Sequence, residues 1–219
     1  MFNELKKKAE NHLLEVEDLI ELAVAKNTDA IPFLRAAVEE YQWDDVVAAK
    51  TSNKVPLATW ATVVVAYLEG GFDGLKQYVS SDSGEYLETS EFVLAVLSDI
   101  KSKETIKGMI TLFDELIENP EINYSLSLRL VDAINLLLSF PPLMEIDSKD
   151  KNALGAFVHK FLSLYGEEGS SRCAAFCALR GVGDLASIEV VKSYPKLTGS
   201  YEGVEGIVIK AIKARNTKD

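Results

Sequence analysis

Apolar residues recur at intervals of three and four along most of the chain, while runs of strict alternation are few and short. This spacing places apolar side chains on one face of an α-helix, whereas alternation would place them on one face of a strand. The sequence therefore predicts an all-α protein. The first stripe predicts one amphipathic helix that ends near "KNTD"; it runs through Phe2, Leu5, Ala9, Leu13, Val16, Ile20 and Ala23.

Glycine, proline and polar residues interrupt the pattern at short intervals, and none of the interruptions is a long linker. A helix through "FLRAAVEEY" follows the first one, and further helices are predicted at about 46–49, 57–69, 74–79, 89–100, 103–118, 122–139, 149–165, 170–181, 185–193 and 201–215. Many short helices with short connections are typical of stacked helical hairpins. We therefore predict a single domain over residues 1–219, with about five helical pairs.

The last third of the chain repeats itself, since residues 204–217 echo residues 171–184 at an offset of 33. "SRCAAFCALRGVGD" contains an arginine that opens a helix, an alanine pair, an Ala-Leu step and a Gly-Asp turn, and "VEGIVIKAIKARN" repeats its first half. Small residues let two helices approach, and Gly183 with Asp184 turns the chain and caps the next helix. Ala175 and Leu179 are expected to be buried in the stack.

This segment resembles the short repeat of the HEAT-like superfamily, of the phycobilisome-lyase type, which begins with a helix-opening arginine and closes on a glycine-aspartate turn. The resemblance covers residues 171–217 well, and the earlier helices share its spacing more than its letters. It implies a HEAT-like α-α superhelix, a curved solenoid of helical pairs. It implies no particular activity.

The charge of the chain is strongly negative and uneven. There are 34 acidic and 23 basic residues, for a net charge of -11. Residues 1–100 carry 18 acidic and 8 basic groups, whereas residues 101–219 carry 16 and 15. This field opposes binding to nucleic acid or to an anionic membrane and favours a basic protein partner. No apolar run approaches the length of a membrane span and the first residues lack the apolar core of a signal peptide, so we expect a cytoplasmic protein.

Residues suited to catalysis are few. His12 and His159 lie in separate predicted helices and in no metal-binding spacing. Cys173 and Cys177 share one helix face and are expected to be small, buried residues. Neighbouring carboxylates on a helix point about 100° apart, so the acidic doublets do not form a convergent acid–base pair. We therefore predict no enzyme activity, no cofactor and no metal site.

The stretch "EEYQWDD" is the first candidate binding site, because Trp and Tyr often anchor interfaces and carboxylates at a helix C-terminus oppose the macrodipole. Its candidate residues are Glu39, Glu40, Tyr41, Trp43, Asp44 and Asp45. The alternative is a solvated helix end, with Asp44 as an N-cap. Arg129 and Asp132 form a second candidate, a polar line along a leucine-rich helix. They are either a solvent-facing ion pair worth about 0.2 to 0.5 kcal/mol or part of a concave groove.

These features predict a non-catalytic protein-binding module. The more specific hypothesis is a bacterial immunity or antitoxin-type protein, whose acidic N-terminal half neutralises a basic toxin such as a nuclease. An adaptor or assembly factor that holds a peptide or subunit in its concave face is the alternative. A third hypothesis is a glycosylase-like helix-stack enzyme, which would require a basic groove.

Overall fold

The computed structural model describes residues 2–11, 13–40, 57–79, 103–117, 124–140 and 145–217. Within these ranges every regular element is a helix and no residue lies in a strand, which confirms the all-α prediction for this part of the chain. The helices predicted at 46–49 and 89–100 lie outside the described residues. Contacts divide the chain into two compact units, Met1–Glu104 and Thr105–Asp219, which we describe separately. The single-domain arrangement stays a prediction.

The predicted first helix is two helices in the structure, α1 (Phe2–Glu10) and α2 (Val16–Val24). Asp18 starts the second one, because its carboxylate accepts a hydrogen bond of 2.9 Å from the backbone N–H of Glu15. The Lys8 ammonium donates to both oxygens of Asp18 at 2.7 and 3.0 Å and joins α1 to α2. The prediction of one continuous helix is therefore wrong. Leu13, assigned to the apolar stripe, is 64% exposed.

The rest of unit 1 contains two more described helical segments. A 3-10 turn (Thr28–Ala30) leads into helical residues 31–40, here called α3. Helix α4 (Leu57–Val79) packs against α2 and is kinked at Gly71, which has φ 58° and ψ -141°. This kink lies between the two helices predicted from the sequence. L-residues other than glycine rarely adopt this positive φ, so the conformation favours glycine at residue 71.

Unit 2 contains both copies of the repeat. Its helix bounds agree with the predicted ranges to within a few residues, and α5 begins at the boundary between the units. The helices are α5 (Lys103–Ile117), α6 (Tyr124–Ser139), α7 (Ser148–Tyr165), α8 (Gly169–Val182), α9 (Leu185–Ser193) and α10 (Val204–Asn216). Asp184 caps α9 by accepting from the Ser187 backbone N–H at 2.8 Å, which confirms the predicted turn.

Helix α8 is the centre of unit 2, because it packs against α6, α7 and α10. Helices α6, α8 and α10 lie side by side, and α7 and α9 connect them in sequence. Ala175 and Leu179 are fully buried in α8, as predicted. Val208 and Ile212, their equivalents 33 residues later, are also fully buried. The sequence echo therefore corresponds to equivalent buried positions on two neighbouring helices.

Glycines allow the close approach of these helices. A Cβ at Gly181 would lie 2.7 Å from the Cβ of Leu138 in α6. At Gly183 it would lie 2.8 Å from the Leu179 carbonyl oxygen and 3.1 Å from Cδ1 of Ile212. The Leu138 contact leaves no room for a larger residue at position 181, so Gly181 sets the spacing of α8 from α6.

Two arginines satisfy helix C-terminal carbonyls, which lack donors within their own helix. Arg172, near the start of α8, donates through Nη1 to the carbonyl of Gly166 at the end of α7, at 2.7 Å. Arg215, near the end of α10, donates to the carbonyls of Arg180 and Gly183 at the end of α8. The helix-opening arginine of the repeat thus caps the preceding helix.

Candidate protein-binding surface

The acidic stretch at the end of α3 is described only in part. Glu39 and Glu40 are exposed helical residues. Tyr41, Trp43, Asp44 and Asp45 lie outside the described residues. This stretch therefore stays a predicted site.

Arg129 and Asp132 lie one turn apart on α6, in the geometry of an ion pair that faces solvent. Their closest atoms, Arg129 Nη1 and Asp132 Oδ2, are 3.8 Å apart, and the side chains are 49% and 41% exposed. Partial burial raises the pKa of Asp132 above its ordinary value, while the Arg129 charge opposes that rise. The contact is a weak one, so any larger role depends on the residues beside it.

Two exposed apolar side chains, Leu136 and Phe140, follow Arg129 and Asp132 on the same side of α6. Leu136 is 48% exposed and, at 100° per residue, falls within an arc of about 60° that also contains Arg129 and Asp132. Phe140 follows the last residue of α6, one turn beyond Leu136, and is 43% exposed. Two large apolar side chains are therefore presented to solvent in succession on the same side of α6 as the ion pair.

Arg180 of α8 completes this surface. The carbon at the centre of its guanidinium lies 4.9 Å from the centre of the Phe140 ring, within the range of a cation–π contact. Its Nη2 donates to Asn135 Oδ1 at 2.9 Å, and its Nε donates to the carbonyl of Cys177 at 3.2 Å. We call the surface formed by Arg129, Asp132, Leu136, Phe140 and Arg180 the Arg180 patch.

Tight packing between α6 and α8 positions the patch. Gly181 allows α8 to approach Leu138, and Ser139 Oγ donates to the Cys177 carbonyl at 3.4 Å. Arg215 binds the backbone of Arg180 itself from the neighbouring helix. The patch is therefore built on two helices whose spacing is fixed from both sides, rather than on a loop.

Sequence reasoning found two members of the patch and missed Leu136, Phe140 and Arg180. Leu136 could have been found, because it falls on the arc of the predicted polar line. Phe140 carried a weaker signal, as an aromatic residue at the end of a helix before two prolines. Arg180 had none, since its partners Asn135 and Phe140 are distant in sequence and only the fold brings them together.

His159 belongs to a structural cluster. Its Nε2 lies 3.0 Å from Ser187 Oγ, which donates to Asp184 Oδ1 at 2.9 Å. The Ser187 side chain is buried and engaged in the cap of α9. Burial lowers the pKa of His159, against the opposing charge of Asp184. His159 lies in α7, as the predicted helix at 149–165 requires, and is partly buried, whereas His12 lies outside the described residues.

The two cysteines are free and half-buried, which is more exposure than the sequence predicted. Their spacing of four places both on one side of α8, and that side is only partly covered, whereas Ala175 and Leu179 are fully buried. Burial and the neighbouring Cys177 raise the pKa of the Cys173 thiol to about 11. This thiol is protonated at neutral pH and is a poor nucleophile.

Unit 1 contains an open cleft. The cleft has a volume of about 650 Å³ and is formed by α1, α2 and the turn between them. Its charged lining residues are Glu4, Lys7, Lys8, Asp18 and Glu21. Lys8 is paired with Asp18, so the cleft presents mixed charge and no single-sign field.

Among the described residues, no group of three or more His, Cys, Asp and Glu side chains is arranged to hold a metal ion. No helix in the same part of the chain is both long and apolar enough to cross a bilayer. The chain matches no protein-family model, and no curated protein or solved structure is significantly similar to it. The resemblance to HEAT-like repeats therefore depends on residues 171–217.

Proposed function

We propose that this chain is a non-catalytic protein-binding module of HEAT-like architecture. The side-by-side packing of α6, α8 and α10, with α7 and α9 as connecting helices, supports such a repeat. The matched burial of Leu179 and Ile212 supports it as well. Repeats of this kind stack into extended surfaces on which other proteins bind.

The observation that carries the proposal is the Arg180 patch. Leu136 and Phe140 are exposed one turn apart, next to an arginine that is held in place by Asn135 and the Phe140 ring. Arginine and aromatic residues are common among the residues that dominate binding energies. A pre-positioned arginine loses little conformational entropy when a partner binds. This favours an adaptor that holds a peptide or a subunit.

The uneven charge favours a second form of the proposal, an immunity-type protein with a basic partner. Residues 1–100 carry 18 acidic and 8 basic groups. A field of that sign accelerates association with a basic protein. Glu39 and Glu40 are the described members of the acidic stretch and are both exposed.

Affinity capture with the tagged chain in a lysate of the source organism tests the proposal. The wild type is compared with a Leu136→Ala/Phe140→Ala variant and with Leu185→Ala, a control that truncates another exposed leucine of unit 2. We expect a protein that is recovered with the wild type and with the control but is lost with the patch variant. Equal recovery by all three chains would contradict a binding role for the patch.

A Glu39→Gln/Glu40→Gln variant separates the two forms. Loss of the partner with this variant, and not with the patch variant, would favour the immunity form. All variants must melt within a few degrees of the wild type by circular dichroism. A partner that is lost only from a variant with a lowered melting temperature gives no support to either form. If the variants that melt normally all retain the partner, neither the patch nor the acidic stretch binds it.

A further inference from the structure

We propose that the Arg180 patch recognises a partner segment that carries a carboxylate close to a large apolar side chain. This inference rests on the proposed function and specifies the chemistry of the partner. It follows from the surroundings of Arg180, the exposure of its two apolar neighbours and the local charge.

The positive charge of Arg180 has no acidic partner among the described residues. Its contacts are the Asn135 side-chain oxygen at 2.9 Å, the Cys177 carbonyl at 3.2 Å and the Phe140 ring. All three are neutral. Neutral acceptors fix the orientation of a guanidinium but leave its net charge uncompensated, and a carboxylate is the group that matches its planar fork.

The apolar part of the patch defines the second half of the recognised group. Leu136 and Phe140 are 48% and 43% exposed, and their spacing of four residues suits one large side chain laid between them. Because Phe140 also stacks on Arg180, a side chain that covers this ring lies near the guanidinium. Burial of the ring would exclude water and strengthen an ionic contact beside it.

The charge of the remaining patch residues is consistent with an acidic group. Asp132 is the acid of the patch, and it is paired with Arg129 at 3.8 Å, so these two contribute no net charge. Arg180 therefore gives the patch a net positive charge within a chain of net charge -11. A basic segment would be repelled at Arg180, whereas a polyanion would be repelled by the chain as a whole.

Selection from a displayed library of random 16-residue peptides tests this chemistry. The library is selected on the wild-type chain and depleted on the Leu136→Ala/Phe140→Ala variant. We expect the enriched peptides to share Asp or Glu within four positions of Leu, Ile, Met or Phe. A synthetic peptide with the consensus sequence should bind Arg180→Glu about tenfold or more weakly than wild type, the loss expected for a hydrogen-bonded ion pair.

Charge exchange distinguishes recognition from a general electrostatic effect. A peptide with Lys in place of its acid should bind Arg180→Glu better than it binds wild type. Lys192→Glu makes the same change in net charge at an exposed residue of α9 and should leave both affinities unchanged.

Three other outcomes would contradict parts of this proposal. Patch-dependent peptides without an acid would overturn the carboxylate and leave the proposed function standing. Absence of any patch-dependent peptide would overturn this inference and the adaptor form of the proposed function. Binding of a fluorescent single-stranded 20-nucleotide DNA that is lost in Arg180→Glu would show a phosphate site instead and overturn the peptide assignment.

Discussion

Replacement of Leu179 by alanine tests whether the echo between α8 and α10 is a packed repeat. Leu179 is fully buried in the helix that contacts α6, α7 and α10. Removal of three buried carbons costs roughly 2.5 kcal/mol in transfer free energy. Gly181 already brings α8 into close contact with α6, so we expect α6 to move little into the space. The remaining cavity brings the expected loss to about 3 to 5 kcal/mol.

Urea unfolding followed by far-UV circular dichroism measures this loss. Both tryptophans, Trp43 and Trp60, lie in unit 1, so tryptophan fluorescence does not report directly on Leu179. Leu185→Ala is the matched control, because Leu185 is 55% exposed and its truncation should cost less than about 0.5 kcal/mol. A Leu179→Ala variant as stable as the Leu185→Ala control would refute the packed repeat.

Three further predictions follow from the contacts and charges. Arg215→Met should destabilise unit 2 by about 1 to 3 kcal/mol in the same assay, because two helix-end carbonyls lose a charged, partly buried donor; unchanged stability would mean that water replaces the guanidinium. The lowered pKa of His159 means that the folded state binds fewer protons, so stability should fall as pH drops below about 6.5, and His159→Gln should flatten that part of the profile; an identical slope in the variant would rule out His159 as the cause. Replacement of the four acids around Trp43 by amides should slow association with a captured basic partner and flatten the salt dependence of the association rate. Trp43→Ala should instead accelerate dissociation. Unchanged rates in both folded variants would make this stretch a solvated helix end. The four acids are Glu39, Glu40, Asp44 and Asp45.

Local signals predicted most helix bounds. The bounds of α9 agree with the sequence because Gly183 and Asp184 form a turn and cap within four residues of the helix start. The prediction of one continuous first helix was wrong because Leu13 and Leu14 are both apolar, so the apolar stripe could be drawn through either residue. The structure separates the two possibilities through Asp18, which caps α2 at Glu15 and binds Lys8 across the break between α1 and α2.

At the candidate site, too, contacts within one helix could be predicted from the sequence, whereas contacts between helices could not. Arg129 and Asp132 are three residues apart on one helix, and periodicity alone brings them together. Arg180 reaches Phe140 and Asn135 only because Gly181 lets α8 approach α6. Pairing between distant helices depends on side-chain fit across the whole interface, and a single sequence gives no measure of that fit.

The arginine contacts at the helix ends have a consequence for the behaviour of the protein in concentrated salt. Arg172 and Arg215 bind backbone carbonyls, which have no net charge and do not titrate. In unit 1, by contrast, Lys8 and Arg35 bind the carboxylates of Asp18 and Glu69. Mobile ions screen such charge pairs where they are open to solvent, as Arg35 and Glu69 are. The contacts that join α7 to α8 and α8 to α10 should therefore persist in brine, where the Arg35–Glu69 pair weakens.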